Sequence, residues 1–347
     1  MSAGSTAVVP ELARPPRLVD RLVARPEIGS LLGAVLVFVF FTLITDQFLT
    51  VKGVSNWLDD ASTLGIMAVT VAMLMIGGEF DLSTGVNTAS TGLVTGILAT
   101  QAHWNVWLAL LVSLVFALLV GLVNGLLVVR TGLPSFIITL GMFLALQGLN
   151  LGVTRAVTGN VQISGVGAAH GYESAGYFLA STFRIGGTPF PVSILWWIGA
   201  TALLSGVLLK TRFGNWVFAA GGAPLQARAV GVPVRSTKVA LFMLTGLGAW
   251  LVGNINVLRY TTVQANQGIG LELQYIVAAV IGGCLMTGGF GSVVGAAIGA
   301  LLFGMVRQGI VFADWNSDWF MLFLGVLLLV AVLANDVFRR RAERMRR

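Results

Sequence analysis

Apolar residues in this chain come in runs far longer than the core of a soluble domain requires. A helix crosses the roughly 30 Å hydrocarbon core of a bilayer with about 20 mostly apolar residues. Ten runs meet that length: 29–45, 61–78, 84–101, 105–129, 134–153, 190–209, 238–258, 272–288, 291–311 and 319–337. The third is the least hydrophobic, and only a short Gly-rich break separates the eighth from the ninth. The pattern predicts an all-α polytopic membrane protein with a spanning domain over 29–337, a polar tail at 1–28 and a basic tail at 338–347. Two connections exceed simple linkers. One is 154–189, Gly-rich, with Tyr172, Glu173, Tyr177, Phe178 and Phe183; the other is 210–237, amphipathic and basic. Long segments of this kind carry function or a docking surface.

Lys and Arg near membrane helices collect on the cytoplasmic side. With the N-terminus inside, Arg14, Arg17, Arg21, Arg25, Arg130, Lys210, Arg212, Arg228, Arg235 and Lys238 all fall there, together with the arginines of 338–347. Outside remain Lys52, Arg155, Arg184 and Arg259, with the acidic Asp46, Asp59, Asp60, Glu173, Asp314 and Asp318 mostly on the same side. An odd number of crossings would export one basic terminus. The expectation is ten crossings, both termini cytoplasmic, 154–189 outside and 210–237 inside.

Composition narrows the function. Of 347 residues, 56% are hydrophobic and 10% charged, against about 25% charged in ordinary soluble domains. A soluble enzyme, a disordered chain and a free nucleic-acid binder are excluded, and the bilayer itself is the first partner. The single Cys284 cannot form a disulfide within the chain, and two distant histidines, His103 and His170, offer no zinc site of ordinary spacing. None of the three lysines follows a glycine, so no phosphate-cradling GK[ST] loop exists. If ATP drives this protein, another chain binds it, and no cofactor or metal is expected here.

Polar residues inside apolar spans need a partner or a purpose. Thr84, Thr88, Thr91 and Thr95 form one helical stripe, with Asn87 and Ser90 beside it. Such hydroxyls serve interhelical packing or wall a path for a neutral, hydroxyl-rich solute. Asn124, Gln147, Asn150 and Asn254 are two-faced in the same way, since uncharged amides donate and accept without demanding a counter-ion. The one charge placed deep is Arg307, expected to snorkel towards Asp314. An ion-coupled secondary carrier needs intramembrane acids or histidines for its relay, and an intramembrane enzyme needs a catalytic pair; neither is evident. Glycines at four-residue spacing (Gly291, Gly295, Gly299; Gly121, Gly125; Gly92, Gly96) bring helix backbones close.

Three stretches in register resemble the permease subunit of simple-sugar ABC importers, the ribose/xylose/galactose type. They are Gly78-Glu79-Phe80-Asp81-Leu82-Ser83-Thr84-Gly85, Leu133-Pro134-Ser135-Phe136-Ile137-Ile138-Thr139-Leu140-Gly141-Met142, and Ala279-Val280-Ile281-Gly282-Gly283 continuing through Gly288 to Gly299. The resemblance implies a ten-helix fold with related halves, a second permease copy in a homodimer, ATPase subunits inside that bind the ATP and Mg, and an extracytoplasmic sugar-binding protein. It places the chain in the bacterial inner membrane, without covalent chemistry of its own. It also implies that Gly221, Leu225, Gln226, Ala227, Arg228, Val230 and Gly231 form the coupling element against the ATPase, although Ala223-Pro224-Leu225-Gln226 lacks the acidic residues often found there. Leu225, Ala229 and Val232 share one helical face, as a short amphipathic helix would require. Asn87, Thr91, Thr139, Gln147, Asn150 and Asn254 are the expected path residues. Asp81 and Ser83 are suited to cap the third span. A branched-chain amino-acid permease, with overlapping glycine patterns, is the nearest alternative. A zwitterionic cargo would call for charged or helix-end partners along the path.

Overall fold

The computed structural model describes residues 26–345, with side chains described over 27–333. Most of the tail expected at 1–28 lies outside the described residues, as do the side chains of the basic tail 338–347. Each predicted span finds a helix. The first five are α1 (Pro26–Ile44), α2 (Val51–Ile76), α3 (Thr84–Thr100), α4 (Val106–Thr131) and α5 (Ser135–Thr158). The short α6 (Tyr172–Leu179) precedes α7 (Ser193–Lys210), and α8 (Arg212–Gly222) and α9 (Pro224–Ala229) precede α10 (Val234–Tyr260). The chain ends with α11 (Leu271–Ile281), α12 (Val293–Phe312) and α13 (Trp319–Met345). Among the described residues seven helices, α1, α2, α4, α5, α7, α10 and α12, are long and apolar enough to cross a membrane. This is a mostly helical, polytopic membrane protein.

Local chemistry sets the helix ends. Thr50 accepts the Gly53 N–H at 3.0 Å to start α2, and Asn105 accepts that of Trp107 at 2.9 Å to start α4. Ser292 accepts the Gly295 N–H at 3.2 Å to start α12. Each satisfies a donor that the first turn leaves free.

The core runs along α2. From Ala61 to Ile76 almost every side chain of this helix is buried, enclosed by α7, α10, α11 and α12. Leu36, Leu43, Leu111, Leu144, Leu203 and Leu329 are more than half exposed on the surrounding helices, the apolar exterior that lipid solvates. The expected glycine packing is present. Gly125 lies so close to α10 that a methyl group there would fall 2.8 Å from Val239 Cα, and Gly299 sits against the Ala278 backbone of α11.

Several expectations need correction. The acidic pair Asp59 and Asp60, assigned to a loop before the second span, lies inside α2, which begins ten residues earlier than the predicted 61. The predicted span 272–288 is a helix only to Ile281; Gly282-Gly283 end it, and 282–292 is an irregular turn. The final helix carries its backbone on to Met345, past the predicted end at 337. The connection 154–189 is not all coil. Beyond α5 it holds β1 (Gln162–Ser164), α6 and the hairpin of β2 (Thr182–Ile185) with β3 (Thr188–Pro191). β1 pairs antiparallel with β4 (Thr262–Gln264), joining this connection to the one after α10. These two small sheets qualify the all-α expectation. They lie at one end of the bundle, the sheet end; α8 and α9 lie at the other.

Candidate functional site

Two helices stop short. α3 has 17 residues and α11 only 11, so at 1.5 Å per residue they rise about 25 and 16 Å, less than the roughly 30 Å of hydrocarbon. Irregular backbone completes both. Residues 77–83 lead into α3 from the α8–α9 end. Residues 262–270 descend beside α3 from the sheet end: Val263 packs on Gly92, and Gly268 reaches the backbone of Gly85 in the first helical turn. The starts of α3 and α11 thus lie at one depth, where Gly85 also meets Glu272, and from there the helices run in opposite directions. Non-helical backbone at membrane depth is tolerated only where protein or a cavity satisfies it.

For 77–83 the satisfaction is explicit. The Phe80 N–H donates to Ser135 Oγ at 3.0 Å and the Leu82 N–H to Thr139 Oγ1 at 3.1 Å, both on α5. Asp81, 3% exposed, accepts from the Ser83 N–H at 2.9 Å and the Ser83 hydroxyl at 2.6 Å through Oδ1. Its Oδ2 accepts from Thr245 of α10 at 3.0 Å. Asn124 of α4 donates to Ser83 Oγ at 3.0 Å. The expected cap is therefore different in kind. Ser83 makes no capping bond to the first turn of α3; Asp81 folds the approach to that helix and ties it to α10.

The threonine stripe faces other helices. Thr91 bonds the Thr88 and Ala249 carbonyls, and Thr95 donates to Asn254 Oδ1 at 2.6 Å and meets Ser113 at 2.9 Å. Asn254 is fully buried in that α3–α4–α10 cluster, and Thr139 is fully buried against Leu82. On α5, Gln147 is half-buried. Four further polar atoms stand apart. Asn87 Oδ1, Asn124 Oδ1, Asn150 Nδ2 and Thr154 Oγ1 are buried without a hydrogen-bond partner. Thr154 was missed in the sequence, although it lies one turn beyond Asn150. A small cavity lined by Thr88, Asn256, Val263 and Gln267 adjoins the descending segment.

Charge is more abundant inside than composition implied, and it is paired. Lys238 at the start of α10 is bonded to Glu79. Arg259 donates to Asp59 at 2.7 Å. Arg307 meets Asp60 at 4.0 Å rather than the expected Asp314, and Gln308 donates to Asp60 at 2.6 Å. The half-buried Asp59 and Asp60 of α2 provide nearer partners than the helix end does. Glu272 accepts the Gly270 N–H. Glu79 and Lys238 were legible only as a motif acid and a rare lysine. Among the described residues no group of three or more His, Cys, Asp or Glu comes together as a metal site.

The segment 210–237 is two helices in place of one. α8 and α9 meet at Ala223, and Ala220, Ala227 and Val234 form a small buried cluster with Val232 against it. Leu225 is 74% and Val230 81% exposed; Gln226, Arg228, Ala229 and Gly231 are exposed around them. Gly221 is pressed on the backbone of Ile76, Gly77 and Gly289. Around α9 the surface presents the apolar Leu225 and Val230 with the cation of Arg228.

Comparison with known proteins agrees with this architecture. The chain is similar to the xylose transport system permease protein XylH of Escherichia coli K12, 31% identical over 88% of this chain and 90% of that protein. It is also similar to the ribose import permease protein RbsC of the same strain, 31% identical over 88% and 92%. A third relative from that strain, the probable ABC transporter permease protein YphD, is 33% identical over 92% of both. No solved structure gives a significant match. These relatives are permease subunits of transporters and not themselves enzymes. A family sequence model covers residues 53–332, every spanning helix but the first included. The chain belongs to the family described as branched-chain amino acid transport system / permease component, as a multi-pass inner-membrane permease of the ABC type.

Proposed function

We propose that this chain moves a small neutral carbohydrate or polyol across the bacterial inner membrane, as the permease subunit of an ATP-driven importer. One observation carries the choice of cargo. Among the described residues each carboxylate buried or half-buried within the bundle already has a partner, whereas Asn87, Asn150 and Thr154 keep unused hydrogen-bonding atoms. Recognition through amides and hydroxyls fits a polyhydroxylated neutral solute. An amino-acid zwitterion would need two unpaired charges or their equivalents. The names of the xylose and ribose relatives support the same class.

The full assembly in this reading has two copies of the chain, ATPase subunits holding ATP and Mg, and a sugar-binding protein on the opposite face. Ten crossings with both termini cytoplasmic place α8 and α9 inside, where Leu225, Gln226, Arg228, Val230 and Gly231 seat on the ATPase, with the buried Ala227 and the close-packed Gly221 holding that surface from beneath. The copies meet along α5. Support comes from its face at Gly141, Gly148 and Gly152, beyond which a methyl group would meet nothing within 4 Å, since small residues favour close helix approach in membranes. Asn87, Thr91, Thr139, Gln147, Asn150 and Asn254 border the path, those buried in one resting state becoming accessible in another. Uptake of labelled pentoses, hexoses and polyols by proteoliposomes holding the whole importer, with ATP on the ATPase side, tests the reading. Sugar uptake that needs ATP supports it. Uptake of leucine instead, or uptake that survives without ATP and collapses with an uncoupler, overturns it.

A further inference from the structure

The strap 77–83 touches every part that an importer must move together. At one end lies a knot of backbone. Gly78 adopts φ +81° and lies where a methyl group would fall 3.1 Å from Gly221 Cα, and one on Gly288 would fall 2.6 Å from Gly78 Cα. The Gly289 N–H donates to the Ile76 carbonyl at 2.8 Å. Side chains are excluded from this junction, so displacement of α8 is passed to Gly78 without slack. Next to Gly78, Glu79 holds Lys238 of α10. At the far end the strap donates two backbone N–H groups to Ser135 and Thr139, which stand one helical turn apart on α5. These bonds tie to the strap a helix whose opposite face is open.

We propose that residues 77–83 transmit movement of the α8–α9 seat to α5, with Ser135 as the positioning residue that fastens the strap to that helix. The inference rests on the reading of α8–α9 as the ATPase seat. Ser135→Ala leaves the Phe80 N–H without its acceptor while leaving the seat untouched. The strap then follows α8 and α5 follows less.

The test uses the complete importer in nanodiscs, with a spin label on a cysteine at Asn215 of α8, exposed and outside the seat residues, or at Leu144, well exposed. Cys284, the only native cysteine, is buried. In the native importer both labels should respond to ATP. In Ser135→Ala the Asn215 response and the ATPase rate should persist. The Leu144 response should fall about fivefold, the factor that one net hydrogen bond is worth, with transport per ATP falling alongside. Ser135→Thr, which keeps the hydroxyl, should restore both. An equal Leu144 response in Ser135→Ala overturns the strap, as does a loss that Ser135→Thr fails to rescue. Absence of an Asn215 response in the native importer defeats the ATPase-seat reading itself, and the two failures are thereby distinguished. If Ser135→Ala does not fold, Thr139→Val, which removes the acceptor of the Leu82 N–H, should likewise lower the Leu144 response while that at Asn215 persists; an unchanged Leu144 response overturns the proposal.

Discussion

Replacing Asp81 by alanine removes three hydrogen bonds from a side chain that is 3% exposed. The loss is unequal. The Thr245 hydroxyl also reaches the Phe242 carbonyl at 2.8 Å and keeps that bond. The Ser83 N–H and O–H have no such alternative. Two buried donors left unmade cost about 1–3 kcal/mol each, so the expected destabilisation is about 2–6 kcal/mol. An ordinary lost helix cap would cost about 0.5–2 kcal/mol, the figure appropriate had Asp81 merely capped α3. Asp81→Asn is the control. Its carbonyl oxygen accepts both Ser83 donors and its amide donates to Thr245, so the cost should be about 1 kcal/mol or less. Unfolding by SDS titration in mixed micelles measures all three proteins. An alanine variant that loses under about 1 kcal/mol, or no more than the asparagine variant, would refute the assignment of Asp81 as the tie between α3 and α10.

Other expectations are simpler. Leu225→Asp and Arg228→Glu should leave the folded chain intact but abolish stimulation of ATP hydrolysis by the loaded binding protein, read as phosphate release. Gly299→Leu drives a side chain into the Ala278 backbone; overpacking of about 1–3 kcal/mol or more should appear as loss of the folded species on gel filtration. Gly148→Phe, where space is open, should spare the folded chain but weaken copy-to-copy cross-linking along α5. Arg259→Gln should lower the apparent melting temperature, and adding Asp59→Asn should recover part of it, with a coupling of about 1 kcal/mol.

Each predicted apolar run coincides with a helix, and seven of those helices among the described residues are long and apolar enough to span, because hydrocarbon leaves a spanning backbone few other ways to satisfy itself. Depth was harder to see. Length counting treats 272–288 as one span, yet Gly282-Gly283 break it, and 262–270, polar enough to pass for a loop, packs along α3 as far as Gly85. Asp59 and Asp60 looked like loop residues since their cationic partners Arg259 and Arg307, and the hydrogen-bond donor Gln308, lie about 200 positions or more away. The threonine stripe was visible at once. Its role in interhelical bonding depended on Ser113, Ala249 and Asn254, which no local pattern connects. Of the site, the motif containing Asp81 was legible; its attachment to Ser135, Thr139 and Thr245 was not.

The distribution of glycine separates what is rigid from what can shift. Gly121 and Gly246 lock α4 onto α10 backbone to backbone, Gly282 and Gly295 do so for α11 and α12, and Gly304 seats α12 on α2 near Ala61. Close-packed contacts of this kind hold one arrangement well and resist sliding. The glycines of α5 are used differently: Gly141, Gly148 and Gly152 border open space, and buried polar atoms at Asn150 and Thr154 make no bond that movement would break. The cost of displacing α5 is therefore concentrated in its contacts with α3 and α4 and in two hydroxyl bonds to the strap. In the proposed importer, displacement of α5 would therefore disturb none of the close glycine contacts that fix α2, α10, α11 and α12 against one another, and Asn150 and Thr154 would move with it.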